Sequence, residues 1–430
     1  LPRAGKILSE KKLSDVGVTE GSLSNGARVV LKPTDFKDDE VLMQASSPGG
    51  TSTAKDKEFL SANFATTLVR AGGIGEIDAI ALQKMLSGKI AGCSPFISDL
   101  QEGFSGSASP KDLETMFQLL YLEFTAPRKD TNASGAYISR IKSFLKSRNA
   151  YPETAFQDTV HNILSSYHYR ALPMTEDRID SVRLDVSYNF YKNRFADAGD
   201  FTFFFVGNFT LPSIKPFVEK YIASLPALRR KESWKDNGIR WPSGVFTKEV
   251  VRGVEPKSSV QLFFSDTFEW SQQHRFDFNA MLEVLRIKLR EQLREEKGGV
   301  YGVSVNGSTE KYPRQEYAIT ISFGCNPSRV QELITTALLQ IDSLKLQPPA
   351  HEYITKVQEM QLREYEVNLK ENNYWLSSLS GFYFYNEDPS RILQRKKMID
   401  GLTATTIQTA AQRYFAKKNF GTFILNPEKK

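Results

Sequence analysis

Apolar positions recur along the chain with two periods. From Pro110 to Phe124, Leu113, Met116, Phe117, Leu119, Leu120 and Leu122 fall at helical spacing, with Pro110 near the start, so a helix with one buried face is predicted. Similar patterns predict helices over Phe59 to Leu68, Ile77 to Leu86, Ser134 to Arg148, Glu153 to Ser165, Arg183 to Phe195 and Ser213 to Ser224. Other stretches suit strands. Ser22-Leu23-Ser24 and Ala27 to Lys32 flank Asn25-Gly26, a strong hairpin signal. Val41 to Ser46, ended by Pro48-Gly49-Gly50, and Phe201 to Val206 are further strands.

The second half repeats this order. A strand at Val260 to Phe264 precedes a helix carrying Met281, Leu282, Val284, Leu285, Ile287, Leu289 and Leu293. Strands follow at Val300 to Gly307 and Glu316 to Phe323, then helices at Pro327 to Leu344, Ala350 to Leu369, Tyr374 to Phe384 and Thr403 to Phe415, and a last strand at Phe420 to Leu425. Ser109-Pro110-Lys111 opens a helix as Asn326-Pro327-Ser328 does. Ile179-Asp180, Phe195-Ala196 and Thr202-Phe203 recur at one constant offset as Ile399-Asp400, Phe415-Ala416 and Thr422-Phe423. The expected fold class is α+β, with two homologous domains, each a mostly antiparallel sheet with a layer of helices. Residues 1–20 are expected as a linker, 21–226 as the first domain, 227–243 as a second linker and 244–430 as the second domain.

Composition narrows the function classes. The 430 residues are 40% hydrophobic and 25% charged, ordinary globular values with material for real cores. The net charge of +6 is spread thinly. Runs such as Arg229-Arg230-Lys231 and Arg395-Lys396-Lys397 are short enough to be solvated surface, and the aromatics lie in strand-like runs, so nucleic-acid binding is disfavoured. No apolar run could span a bilayer. The opening Leu1-Pro2-Arg3-Ala4-Gly5-Lys6 is not a signal peptide and lacks Met, which suggests a start inside a longer protein or after a removed leader. Cys93 and Cys325 match no metal or redox spacing.

Candidate chemistry is sparse. His161 and His168 lie about two helical turns apart with no acid placed to complete a zinc site. No HEXXH, HXXEH, G-x-S-x-G or Walker sequence occurs, and Gly72-Gly73-Ile74-Gly75 follows a helical pattern and reads as a helix stop. One stretch stands apart: Leu293-Arg294-Glu295-Glu296-Lys297-Gly298-Gly299-Val300-Tyr301 closes the long helix and opens a strand, so Arg294 and Tyr301 could face one space. Capping of the helix C-terminus by Arg294, with Tyr301 half-buried, is the structural alternative.

That stretch, Leu23-Ser24-Asn25-Gly26-Ala27-Arg28-Val29-Val30, the turn Ser47-Pro48-Gly49-Gly50 and the duplicated layout carry a resemblance. The chain resembles the C-terminal half of a pitrilysin/insulinase-type zinc metallopeptidase, the inverzincin family, and most of all the bacterial members with four α+β domains in one chain. In that family, HXXEH on a helix of the N-terminal half and a later glutamate hold zinc, and the glutamate within the motif is the general base. The corresponding helix here, Phe59-Leu60-Ser61-Ala62-Asn63-Phe64-Ala65-Thr66-Thr67, has neither histidine nor acid, and Ile141 to Lys146 has no carboxylate for the third ligand. The resemblance therefore implies no metal in this chain, zinc in a missing N-terminal half, and a chain inactive alone. It carries over a substrate-gripping pair onto Arg294 and Tyr301, able to hydrogen-bond a substrate carbonyl or oxyanion. It implies as partners the N-terminal catalytic half, in the same chain or as a separate subunit, and a peptide or unfolded polypeptide. The alternative is a stand-alone non-catalytic binding or scaffold subunit of a peptidase complex. The resemblance leans toward a bacterial periplasm.

Overall fold

A computed structural model describes residues 2–148, 150–296 and 298–428, with the side chains of Glu295, Glu296 and Tyr301 outside the description. It contains two mixed sheets, each backed by helices. The first sheet comprises β1 (Ile7–Leu13), β2 (Val18–Leu23), β3 (Arg28–Pro33), β4 (Val41–Pro48), β5 (Ala91–Ile97), β6 (Gln101–Ala108) and β7 (Thr202–Gly207), in the order β1-β2-β3-β7-β4-β6-β5. Only β3 and β7 run parallel there. The second comprises β8 (Val245–Val251), β9 (Ser258–Thr267), β10 (Val300–Glu310), β11 (Glu316–Cys325) and β12 (Phe420–Asn426), in the order β10-β11-β9-β12-β8, with only β8 and β12 parallel. The α+β class and mostly antiparallel sheets follow the sequence pattern.

Phe201 to Val206 is apolar without alternation because β7 is central and buried on both faces. Phe203 and Phe205 join the core under the helix Leu113–Thr125, where Phe117 stacks on Phe205 at 4.9 Å. Phe204 and Val206 face the other way, onto Trp375, Leu376 and Leu379 of the helix Asn372–Phe384. Lys32 is buried on that second face: its ammonium lies 3.7 Å from the Trp375 ring and donates to the Val16 carbonyl at 2.6 Å. The second sheet has a corresponding cover, with Phe156 and Val160 of the helix Pro152–Leu164 packed on Phe263, Ala318, Phe423 and Leu425.

By contacts the chain falls into two units: Leu1–Leu145 with Met174–Asn237 and Glu366–Leu393, and Lys146–Pro173 with Gly238–Tyr365 and Gln394–Lys430. The units are interleaved, whereas the sequence suggests one cut at 227–243. That stretch has neither helix nor strand. Residues 227–237 of it are nonetheless pinned within the first unit, and 238–243 belong to the second: Asp197 Oδ2 accepts from Arg230 N at 2.6 Å, and Ser52 Oγ accepts from Lys235 N at 2.9 Å.

The span 1–20 differs from the expected linker. It holds β1 and the start of β2, paired antiparallel from Leu13↔Val18 outward. Glu10, Lys11 and Lys12 disguise β1 because it is an exposed edge strand, where charge discourages further pairing. β5, β6 and β8 also escape the hydrophobic pattern. In β6 the cause is steric: a side chain at Gly103 would strike the Ala45 carbonyl and, at 2.7 Å, the Phe96 ring. The stretches at constant offset fold alike, each pairing a helix (Leu184–Arg194, Ala404–Tyr414) with a following strand (β7, β12). Pro110 and Pro327 each open a 3-10 turn that leads into a long helix.

Candidate functional site

The helix Gln272–Leu289 is capped by Ser271, whose hydroxyl accepts from His274 N, and buries Phe276, Phe278, Met281, Leu282, Leu285 and Leu289. The helical path then widens into a π-turn over Arg290–Glu296. Such insertions concentrate at functional sites because they rotate the following side chains off the regular helical face. Leu289 and Leu293 are both 0% exposed, so the turn is held down by its apolar side, while Arg294 stands exposed next to it.

The turn is closed by backbone. Gly298 N donates to Arg294 O at 3.1 Å and Gly299 N to Leu293 O at 3.0 Å, with Gly298 at φ 54. Gly299 is required by proximity, since a Cβ there would lie 2.7 Å from Leu333 Cδ2 and 3.1 Å from Arg329 Nη1. Two polar anchors fix the rest. Tyr353 Oη donates to Glu291 Oε2 at 2.7 Å, and Arg286 Nη2 donates to the Val305 carbonyl of β10 at 2.6 Å. A cavity of about 290 Å3 lies beside the turn, lined by Arg286, Arg290, Glu291 and Met360 among others.

Tyr301 lies in β10 by its backbone, and its side chain is outside the described residues. Its strand position is unusual. Val300 pairs with Cys325 and Val303 with Phe323, so Tyr301 and Gly302 together oppose Gly324. This is a bulge of one extra residue, a device that re-aims side chains beside functional sites. A π-turn and a β-bulge thus bracket Gly298-Gly299. The glycine pair and the charged helix end were legible in the sequence. The π-turn, the bulge and the anchors Glu291, Tyr353 and Arg286 were not, because no local signal encodes an inserted residue or a partner far away in the chain.

The helix aligned with the zinc motif breaks into Phe59–Asn63 and Ala65–Gly72. Its polar groups serve packing: Ser61 Oγ accepts from Arg183 N at 3.0 Å and Ser61 O from Ser187 Oγ at 2.7 Å. Asn63, Thr66 and Thr67 are poor zinc ligands, and among the described residues no group of three or more His, Cys, Asp and Glu comes together to hold an ion. The residues present do not fit zinc. His161 is exposed on the helix Pro152–Leu164, and His168 Nδ1 accepts from Arg170 N at 3.3 Å. Both cysteines are buried free thiols.

The turn Pro48-Gly49-Gly50 sits over a buried cluster of Glu102, Arg194 and Glu232 that the sequence does not reveal. Glu102 is 0% exposed; its Oε2 accepts from Gly50 N at 2.5 Å, and its Oε1 lies 3.6 Å from Arg194 Nη1, itself 2.9 Å from Glu232. Burial pushes the Glu102 carboxyl up to about 8, against the opposing pull of Arg194. A Cβ at Gly49 would lie 2.6 Å from Arg194 Nη1, which explains glycine there.

A family model described as the peptidase M16 inactive domain matches residues 181–361. The chain is 28% identical to a zinc protease PQQL-like of Arabidopsis thaliana, over 100% of this chain and 45% of that relative. It is 26% identical to the probable zinc protease PqqL of Haemophilus influenzae, over 97% of this chain and 44% of the relative. The chain therefore spans about half the length of the curated relatives it matches. Among solved structures, the periplasmic protease PqqL from Escherichia coli matches with a TM-score of 0.88 at 20% identity, covering 100% of this chain and 48% of that one. A protease from Helicobacter pylori matches with a TM-score of 0.81 at 14% identity, over 98% of this chain and 100% of that one.

Proposed function

The chain belongs to the M16 peptidases, the pitrilysin/insulinase type, as the counterpart of their inactive C-terminal half, and from that premise we propose that it supplies substrate contacts and chamber wall to a zinc endopeptidase acting on peptides or unfolded polypeptides. The observation that carries this reading is Arg294: a solvent-facing guanidinium on a π-turn whose Leu293 neighbour is fully buried. A cation carried on a non-regular turn anchored by buried Leu293 can meet a carbonyl oxygen or a developing oxyanion. Tyr301, on the bulge of β10, is the second contact in this reading. Zinc and the general base belong to the N-terminal half, which the names of the relatives as zinc proteases support. A periplasmic setting goes with the likeness to a periplasmic protease.

The test joins the chain to its N-terminal half and measures cleavage of a quenched fluorescent peptide. Arg294→Ala should lower kcat/KM by about tenfold to a hundredfold, the size of one charge-assisted hydrogen bond in a water-poor site. Tyr301→Phe should lower it similarly, and neither should move the melting temperature. Full turnover in both variants removes the assignment. A stand-alone scaffold subunit is the second reading, consistent with the half-length Helicobacter pylori chain of this fold. Co-purification of an independently encoded catalytic partner would decide for it.

A further inference from the structure

The groove between the helices Gln272–Leu289 and Ala404–Tyr414 holds a cavity of about 250 Å3, walled in part by His274, Asp277, Thr406, Thr409, Arg413 and Tyr414. His274 Nδ1 lies 2.9 Å from the Glu269 carbonyl oxygen, which can only accept, so Nδ1 carries the proton. Nε2 is then a lone pair, and Arg413 Nη1 donates to it at 2.8 Å. The neutral imidazole thus positions the guanidinium and uses one of its five donors, with Glu269 Oε2 a further 3.9 Å neighbour. Enough donors remain to clasp a carboxylate.

Two other groups are incompletely satisfied. Tyr414 is 2% exposed, and its hydroxyl lies beside the Arg413 side chain without a well-formed hydrogen bond among the described residues. A buried hydroxyl without a well-formed hydrogen bond costs stability, and this one belongs to the cavity wall. Asp277 Oδ1 accepts from Gln273 Nε2 at 2.8 Å, and the carboxylate has no ion-pair partner among the described residues. A cation and an anion therefore border one small cavity without closing on each other. A bare anion would meet Asp277 and a bare cation Arg413; a molecule bearing both charges a few ångströms apart satisfies both. The volume is that of about eight waters, enough for one small amino acid.

We infer that this cavity binds a free α-amino acid, with its carboxylate on Arg413 and the Tyr414 hydroxyl, its ammonium on Asp277 and its side chain toward Thr406 and Thr409. The site lies apart from Arg294 and does not depend on the peptidase reading.

Calorimetric titration of the whole chain with glycine, L-alanine and L-threonine tests it, with acetate and methylammonium as half-ligand probes. The expected result is saturable one-to-one binding of at least one amino acid, with each half-ligand about tenfold weaker or worse. Asp277→Asn should weaken the amino acid about tenfold, and Tyr414→Phe about threefold or more. Because the Tyr414 hydroxyl makes no well-formed hydrogen bond, Tyr414→Phe should fold normally, and it carries the test if Asp277→Asn does not. No saturable binding at millimolar concentrations overturns the inference. So does acetate or methylammonium binding as tightly as alanine, or affinity untouched by Tyr414→Phe.

Discussion

Truncation after Asn237 removes the helix Asn372–Phe384, which covers one face of the first sheet. The uncovered side chains are Val16, Val18, Val30, Phe204 and Val206, each at most 3% exposed in the whole chain. Fully exposing such a side chain forfeits about 1.5–3 kcal/mol. If the helix provides half of the cover, the loss across these positions is about 4–8 kcal/mol. Lys32 would also lose Trp375 as its aromatic partner. A domain's entire stability is about 5–15 kcal/mol, so residues 1–237 alone should lack a cooperative unfolding transition. Helix and strand content by circular dichroism, urea titration and binding of a hydrophobic dye would report this. Adding a peptide of residues 366–393 should restore part of the transition. A fragment 1–237 that is monomeric, binds no dye and unfolds cooperatively without the peptide would refute the reasoning, and would return the boundary to the 227–243 stretch.

Further outcomes are expected. The purified chain, incubated with excess zinc and desalted, should retain almost none by elemental analysis; one tightly held ion per chain would mean a site built from residues such as His161 and His168. Glu102, pushed up to about 8 by burial, takes up a proton on folding. Its contribution is therefore fully present below the ordinary carboxylate range and is lost as pH rises through about 8. Glu102→Gln should flatten the fall in urea midpoint between pH 5.5 and 8.5, leaving the smaller slope of Glu123, pushed up to about 7; parallel slopes for variant and parent would refute this. Gly299→Ala should destabilise by about 1–3 kcal/mol through overpacking against Leu333 and Arg329, measurable by thermal melting; an unchanged melting temperature would show that the turn can relax.

The hydrophobic pattern alone determined the α+β class, most helices and the central strands, because burial of one face imposes a period on the residues that form it. It also determined what the chain lacks: with no histidine or acid between Phe59 and Thr67, a zinc motif of that kind is impossible whatever the fold. The charged helix end and glycine pair around Arg294 were legible for the same local reason. Two outer strands were not: β1, at the edge, is charged to discourage pairing, and β6, between β4 and β5, is thinned to glycine and serine by close neighbours, so neither shows a strand's period. Tertiary structure alone decided that the helices Pro152–Leu164 and Asn372–Phe384 pack with the units opposite their place in the sequence, since that depends on which apolar faces are left open. It alone decided the π-turn and bulge beside Arg294, and the buried company of Glu102 and Tyr414. Each arises from contacts between residues far apart in the chain, to which no local period responds.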